Sequence, residues 1–187
     1  MLLQLKIIFN SFLLVGFTEM GDKTQLLAFI LASKFKKPWH ILAGIFVATI
    51  LNHLLAASFG VWVSNAVSPQ TLKWILASIF VVFAVWILIP DKEEDIDKAP
   101  RWGAFMTSAV TFFLAEMGDK TQLATVTLAA KYHDLMLVTI GTTIAMMVTD
   151  GPAVFFGDKM TKKIPMKWIH IAAALLYIVF AIGILIH

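Results

Sequence analysis

The chain has 187 residues, 59% hydrophobic and 14% charged, with a mean hydropathy of +0.84 and a formal net charge of +3. A soluble domain is about 45–50% apolar and about 25% charged, so this composition carries more apolar surface than one water-soluble core can bury. The absence of cysteine excludes a disulfide framework, thiolate zinc sites, iron–sulfur clusters and Cys catalysis. The basic residues fall in short clusters between apolar runs, the pattern of cytoplasmic membrane loops rather than of a nucleic-acid face.

A transmembrane helix needs about 20 mostly apolar residues. Six segments qualify, at about 7–33, 38–64, 72–90, 103–130, 135–157 and 167–187. The first apolar run, Ile7 to Thr18, has the length of a signal-peptide core, but no small-residue cleavage site follows, so it reads as a retained span. The first and fourth spans are long and charged at their centres, which predicts broken or tilted helices there. The second is the cleanest, with no Asp, Glu, Lys or Arg from Pro38 to Leu72. Trp39, Trp74, Trp102 and Trp168 fall near the span ends as interfacial belt residues.

Orientation follows from the positive residues. Ten of the fifteen collect on one side: Lys34, Lys36 and Lys37, then Lys92, Lys98 and Arg101, then Lys159, Lys162, Lys163 and Lys167. Lys6, Lys73 and Lys131 collect on the other, and Lys23 and Lys120 lie within spans. The richer side is expected to be cytoplasmic, with both termini outside. The acidic stretch at 91–102 reads as a solvated cytoplasmic linker.

Shifting the sequence by 97 residues superposes it on itself without a gap. Glu19-Met-Gly-Asp-Lys-Thr-Gln-Leu26 meets Glu116-Met-Gly-Asp-Lys-Thr-Gln-Leu123, and Ser11, Lys34, Gly44, Ala48, Ala56, Phe59 and Gly60 also meet their like. A shift of 94 pairs Leu72-Lys-Trp-Ile75 with Met166-Lys-Trp-Ile169. The expected architecture is therefore an all-α integral membrane protein of six transmembrane helices in two three-helix repeats. These are residues 1–90 and 103–187, joined by 91–102. Three spans per repeat make the second copy enter from the opposite side, so the repeats are inverted, as in secondary transporters with a midplane site.

Glu19, Asp22, Glu116 and Asp119 fall well inside spans. An ionised carboxylate at the bilayer centre costs at least ~2.5–3.5 kcal/mol on insertion scales, so such groups face a partner or an aqueous cavity. On a continuous helix, Glu and Asp at i and i+3 share one face. Gly21 and Gly118 open the backbone or admit a neighbouring helix. Thr24 and Thr121, with Gln25 and Gln122, add neutral oxygens. Two such motifs meeting about a pseudo-two-fold would form an all-oxygen site for a hard divalent cation such as Mn²⁺, Ca²⁺ or Mg²⁺. The competing reading makes Glu19–Lys23 and Glu116–Lys120 simple i, i+4 salt bridges. In the functional reading Lys23 and Lys120 reduce four negative charges to two, the charge of one divalent cation or two protons. Asn52 and His53 pair with Thr149 and Asp150 under the same shift; Asn52, His53 and Asp150 are candidate outer partners or proton-relay groups, or helix-packing hydrogen bonders.

The duplicated Glu-x-Gly-Asp-Lys-Thr motif in a six-span chain resembles the Gdt-type family of cation/proton antiporters of the LysE superfamily, which includes Golgi manganese/calcium transporters and bacterial manganese exporters. The similarity extends through Leu26–Lys34, Asn52-His53, Lys73-Trp74 and Ile89-Pro-Asp-Lys92. The resemblance implies that Glu19, Asp22, Glu116 and Asp119 bind the transported cation, with Lys23, Thr24, Lys120 and Thr121 completing the motif. It implies a bacterial inner-membrane exporter of Mn²⁺, with Ca²⁺ as a second cargo, that works in exchange for protons without a prosthetic group. An exporter of basic amino acids and a non-transporting scaffold are the alternatives. A membrane enzyme is disfavoured, since no Ser–His, Cys–His or HExxH arrangement occurs.

Overall fold

The computed structural model describes residues 1–88, 102–156 and 166–186. The acidic linker, apart from Trp102, and the basic cluster at Lys159, Lys162 and Lys163 lie outside the described residues. Eight helices account for the regular structure among the described residues. They are α1 (Leu2–Glu19), α2 (Lys23–Phe35), α3 (Pro38–Ala66), α4 (Pro69–Trp86), α5 (Ala104–Glu116), α6 (Lys120–Tyr132), α7 (Leu135–Phe156) and α8 (Met166–Ile186). Four of them, α1, α3, α4 and α7, are long and apolar enough by themselves to cross a membrane.

The first and fourth sequence segments are broken helices, α1–α2 and α5–α6. Both breaks fall at the motif glycine: Gly21 has φ +85° and Gly118 φ +80°. That left-handed region is open to glycine and strained for side chains with a Cβ. The residues on either side repeat the same geometry. Met20 and Met117 are extended at φ/ψ −65°/113° and −68°/115°, and Asp22 and Asp119 at −80°/169° and −76°/168°. The second half-helices also end alike, on left-handed Lys36 (φ 53°) and His133 (φ 54°), which are 97 positions apart. The third segment begins earlier than expected, because Ser68 caps Thr71 N at 3.3 Å and Pro69 opens α4.

Several helix contacts interchange between the two copies. The two most extensive pairings are α3 with α5 and α1 with α7, and the helices that map onto each other, α3–α7 and α4–α8, also pack together. Glycine permits the closest approaches. A Cβ on Gly44 would stand 2.5 Å from Phe105 O and 2.9 Å from Ser108 Cβ; one on Gly141 would stand 2.5 Å from Ile8 O and 2.8 Å from Ser11 Cβ. Phe105 and Ser108 are the 97-residue mates of Ile8 and Ser11, so one contact is built twice. Close backbone approach through small residues is the packing mode available where lipid removes the hydrophobic drive between helices.

The polarity of the molecule is distributed outward-apolar and inward-polar. Phe9, Leu55, Trp62, Val85, Leu114 and Leu175 are exposed, whereas Glu19, Thr24, Asn52, Glu116, Thr121 and Asp150 are buried. The exposed side chains include Trp39, Trp74, Trp102 and Trp168, all near helix starts. A soluble protein would show the reverse arrangement.

Candidate metal centre

The two helix breaks bring the motifs together inside the molecule. Glu19 ends α1 and Asp22 is the N-cap of α2; Glu116 ends α5 and Asp119 is the N-cap of α6. The sequence expectation of Glu and Asp sharing one face of a continuous helix is therefore corrected. The chain reverses its local conformation at Gly21 and Gly118, and the acids flank the turn. For the same reason Glu19 and Lys23 do not stand at i, i+4 of one helix; nor do Glu116 and Lys120.

Glu19, Asp22 and Asp119 each direct one carboxylate oxygen into a common space, all within 4.8 Å of one another and all buried. Two of the three come from the first motif and one from the second. Glu116 stands beside it. Its Oε2 accepts from Thr121 Oγ1 at 2.9 Å, and its charge lies within electrostatic reach of Asp22, Asp119 and Asp150. Thr24 Oγ1 donates to Glu19 Oε1 in the equivalent arrangement. Each Thr hydroxyl donates its proton to its Glu and keeps lone pairs for another partner. Glu19 Oε2 and Glu116 Oε1 are buried and have no hydrogen-bond partner among the described residues. Carboxylate and hydroxyl oxygens in this number suit a hard cation.

The ammonium of Lys23 lies 3.7 Å from Asp119 Oδ1, a contact between the motifs. Lys120, its mate, is buried and its Nζ stands 5.9 Å from the Trp86 ring centre. Trp86 carried no sequence signal for this role.

Gln25 and Gln122 each reach back to the turn of their own motif. Gln25 Oε1 accepts from Gly21 N at 3.1 Å and Gln122 Oε1 from Gly118 N at 2.6 Å. Their oxygens brace the turns by satisfying the glycine N–H groups that the helix breaks expose. Gln25 Nε2 also donates to Thr149 O at 3.0 Å, tying the first break to α7.

Asn52, His53 and Asp150 are all buried. Asp150 is within electrostatic reach of both Glu19 and Glu116, and neither of its oxygens is hydrogen-bonded among the described residues. It is followed by Gly151 and Pro152, and Pro152 removes a backbone donor from α7 beside the site. Asn52 Nδ2 donates to Phe113 O at 3.0 Å and so pins α3 to α5. Both ring nitrogens of His53 are buried and have no hydrogen-bond partner among the described residues.

Tyr177 on α8 was not foreseen. Its hydroxyl is 2.7 Å from Thr18 Oγ1, next to Glu19. The single Thr18 proton goes to Leu14 O at 2.7 Å, which leaves the tyrosine as donor. The other tyrosine of the chain, Tyr132, accepts from Asn10 Nδ2 at 2.8 Å. Asn10 and Thr18 lie about two turns apart on α1, so both tyrosines anchor that helix. Neither contact has a copy in the other repeat, and periodicity gave no sign of them.

Comparison with known proteins identifies the family. The chain matches the family described as "Divalent cation/proton antiporter GDT1" over residues 7–95 and 104–187. A Vibrio cholerae protein named "Putative manganese exporter" is 45% identical over 170 residues, covering 90% of this chain and 85% of its own. A GDT1-like protein of Synechocystis is 27% identical over 195 residues, covering 91% and 92% of the two chains. GDT1-like protein 5 of Arabidopsis thaliana is 27% identical over 213 residues, with 92% of each chain covered. No solved structure gives a significant match. With a family match across nearly its whole length, apolar spans and a buried carboxylate centre, the chain belongs to the GDT1 family of divalent cation/proton antiporters, and is a membrane transporter rather than an enzyme.

Proposed function

We propose that the protein exports Mn²⁺, with Ca²⁺ as a second cargo, from the bacterial cytoplasm across the inner membrane in exchange for protons. The cargo site is made by Glu19, Asp22, Glu116 and Asp119, with Thr24 and Thr121 supplying neutral oxygens. Six spans form two inverted three-helix repeats, residues 1–90 and 103–187, joined by a cytoplasmic linker at 91–102, and both termini are extracytoplasmic. The observation that carries this reading is the trio Glu19, Asp22 and Asp119, whose oxygens converge from both motifs within 4.8 Å.

The chemistry runs on charge balance. Deprotonated carboxylates take the cation when the site opens to the cytoplasm. Four carboxylates with two ammoniums, Lys23 and Lys120, leave two negative charges, which one Mn²⁺ neutralises. Rocking of the repeats exposes the site to the other side, where two protons restore neutrality and release the metal. Asp150 is the proton-relay group of this scheme, supported by its burial and its position within reach of both glutamates. The hinges are the Gly21 and Gly118 turns, braced by Gln25 and Gln122.

A transport panel tests the cargo. Inverted vesicles carrying the protein should accumulate Mn²⁺ and, more weakly, Ca²⁺ when acidified inside. Mg²⁺ gives up its water reluctantly and should be carried poorly. Accumulation of lysine in place of metal would replace this reading with export of cationic solutes.

A further inference from the structure

Away from the carboxylates, a cavity of about 590 Å³ opens among the first half of α1, the ends of α3, α6 and α8, and the start of α4. Its volume lies in the range of small-molecule sites. Its lining divides by chemistry. Lys6, Lys73 and Lys131 come from three different helices and converge on it, with no Asp or Glu among the described lining residues. Asn10, Tyr132, Ser64 and His133 add polar groups, and Leu72, Leu76, Phe180 and Ile184 form an apolar wall.

Gathering like charges is unfavourable unless something opposes it. Lys6 is within electrostatic reach of Lys131. Lys131 is half-buried, with its Nζ 4.7 Å from the Phe180 ring centre and 5.3 Å from that of Tyr132. Ring faces hold a cation in place but do not neutralise it. The nearest acid in sequence, Asp134, accepts from Leu137 N at 2.9 Å and caps the start of α7. The polar side chains are ordered as well: Asn10 donates to Tyr132 Oη at 2.8 Å, and Ser64 Oγ is 3.0 Å from His133 Nδ1. Three lysines and an apolar surface lining one cavity match an amphipathic anion. A hydrated divalent cation would be repelled by the same lysines.

We propose that this cavity binds a phosphate-bearing anion, with Lys6, Lys73 and Lys131 on the phosphate and the apolar wall against a hydrocarbon chain. The head group of an anionic phospholipid satisfies both halves of the lining. Free inorganic phosphate satisfies the lysines alone. The site is separate from the carboxylate centre, so its occupancy can be read without transport.

The test uses the full chain purified in detergent. Native mass spectrometry follows retention of phosphatidylglycerol against phosphatidylcholine offered in equal amount, and calorimetry follows binding of inorganic phosphate. Phosphatidylglycerol should be retained selectively, with about a fivefold loss of affinity for each of Lys6→Gln, Lys73→Gln and Lys131→Gln. Lys34→Gln, outside the cavity, should change nothing. Lys6 is exposed, so its variant reads the charge even if Lys131→Gln fails to fold. Lysine-dependent binding of inorganic phosphate without a preference for phosphatidylglycerol would keep the anion site and overturn the lipid as its source. Equal retention of the two lipids, with no phosphate binding or no dependence on the lysines, would overturn the proposal.

Discussion

Lys23 Nζ lies 3.7 Å from Asp119 Oδ1, so the first residue of α2 is joined to the N-cap of α6 across the two motifs. The residues are copies of different positions in the duplicated octapeptide, and the contact makes one electrostatic unit of the two halves. At the proposed site, an incoming cation would compete with that ammonium for Asp119. Lys23→Gln should therefore lower the KM for Mn²⁺ several-fold and lower kcat as well, because release becomes harder. Initial-rate uptake in inverted vesicles reads both constants, and a raised KM would contradict this role for Lys23.

The two motif glutamates should be equally indispensable. Glu19→Gln and Glu116→Gln keep the side-chain volume and remove the charge, so each should reduce Mn²⁺ transport at least ~100-fold while the protein still inserts. The estimate reflects loss of a buried charge–cation contact of roughly 3 kcal/mol. Uptake assays with matched membrane levels measure it. A variant with one Glu replaced and near-normal transport would confine the site to a single motif.

The paired glycine contacts make a stability prediction. Gly44→Ala and Gly141→Ala each drive a Cβ against a backbone oxygen at 2.5 Å, so each should destabilise by about 1–3 kcal/mol. Gly16→Ala meets only Ala145 Cβ at 3.8 Å and should be close to neutral. Thermal unfolding in detergent compares the three. Equal behaviour of all three would mean that α1–α7 and α3–α5 are not packed as described.

Topology is separately testable. A reporter fused after His187 should read as extracytoplasmic, and one inserted between Glu93 and Asp97 as cytoplasmic. The opposite pattern would reverse the orientation taken from the lysine distribution.

The helix breaks were legible because charge fell at the middle of two long apolar runs and glycine stood in each. Their geometry was not. A repeat spacing cannot distinguish acids on one helix face from acids flanking a turn, and the positive φ of Gly21 and Gly118 decides for the turn. That Gln25 and Gln122 accept from the glycine N–H groups depends on the turns, which composition does not show. Asp150 could be suspected from its pairing with His53 under the repeat. Its approach to both glutamates depends on α7 crossing the molecule, which is tertiary information. Tyr177 and Trp86 have no duplicated partner, so the signal that exposed the motifs was silent for them.

The most direct measurement of the account is Mn²⁺ uptake into inverted vesicles under an imposed pH gradient, with and without valinomycin to clamp the membrane potential. Two net negative charges at the site predict exchange of one Mn²⁺ for two protons, so vesicles acidified inside should accumulate Mn²⁺ equally in both conditions. Uptake driven by potential in the absence of a pH gradient would contradict the proton-exchange mechanism.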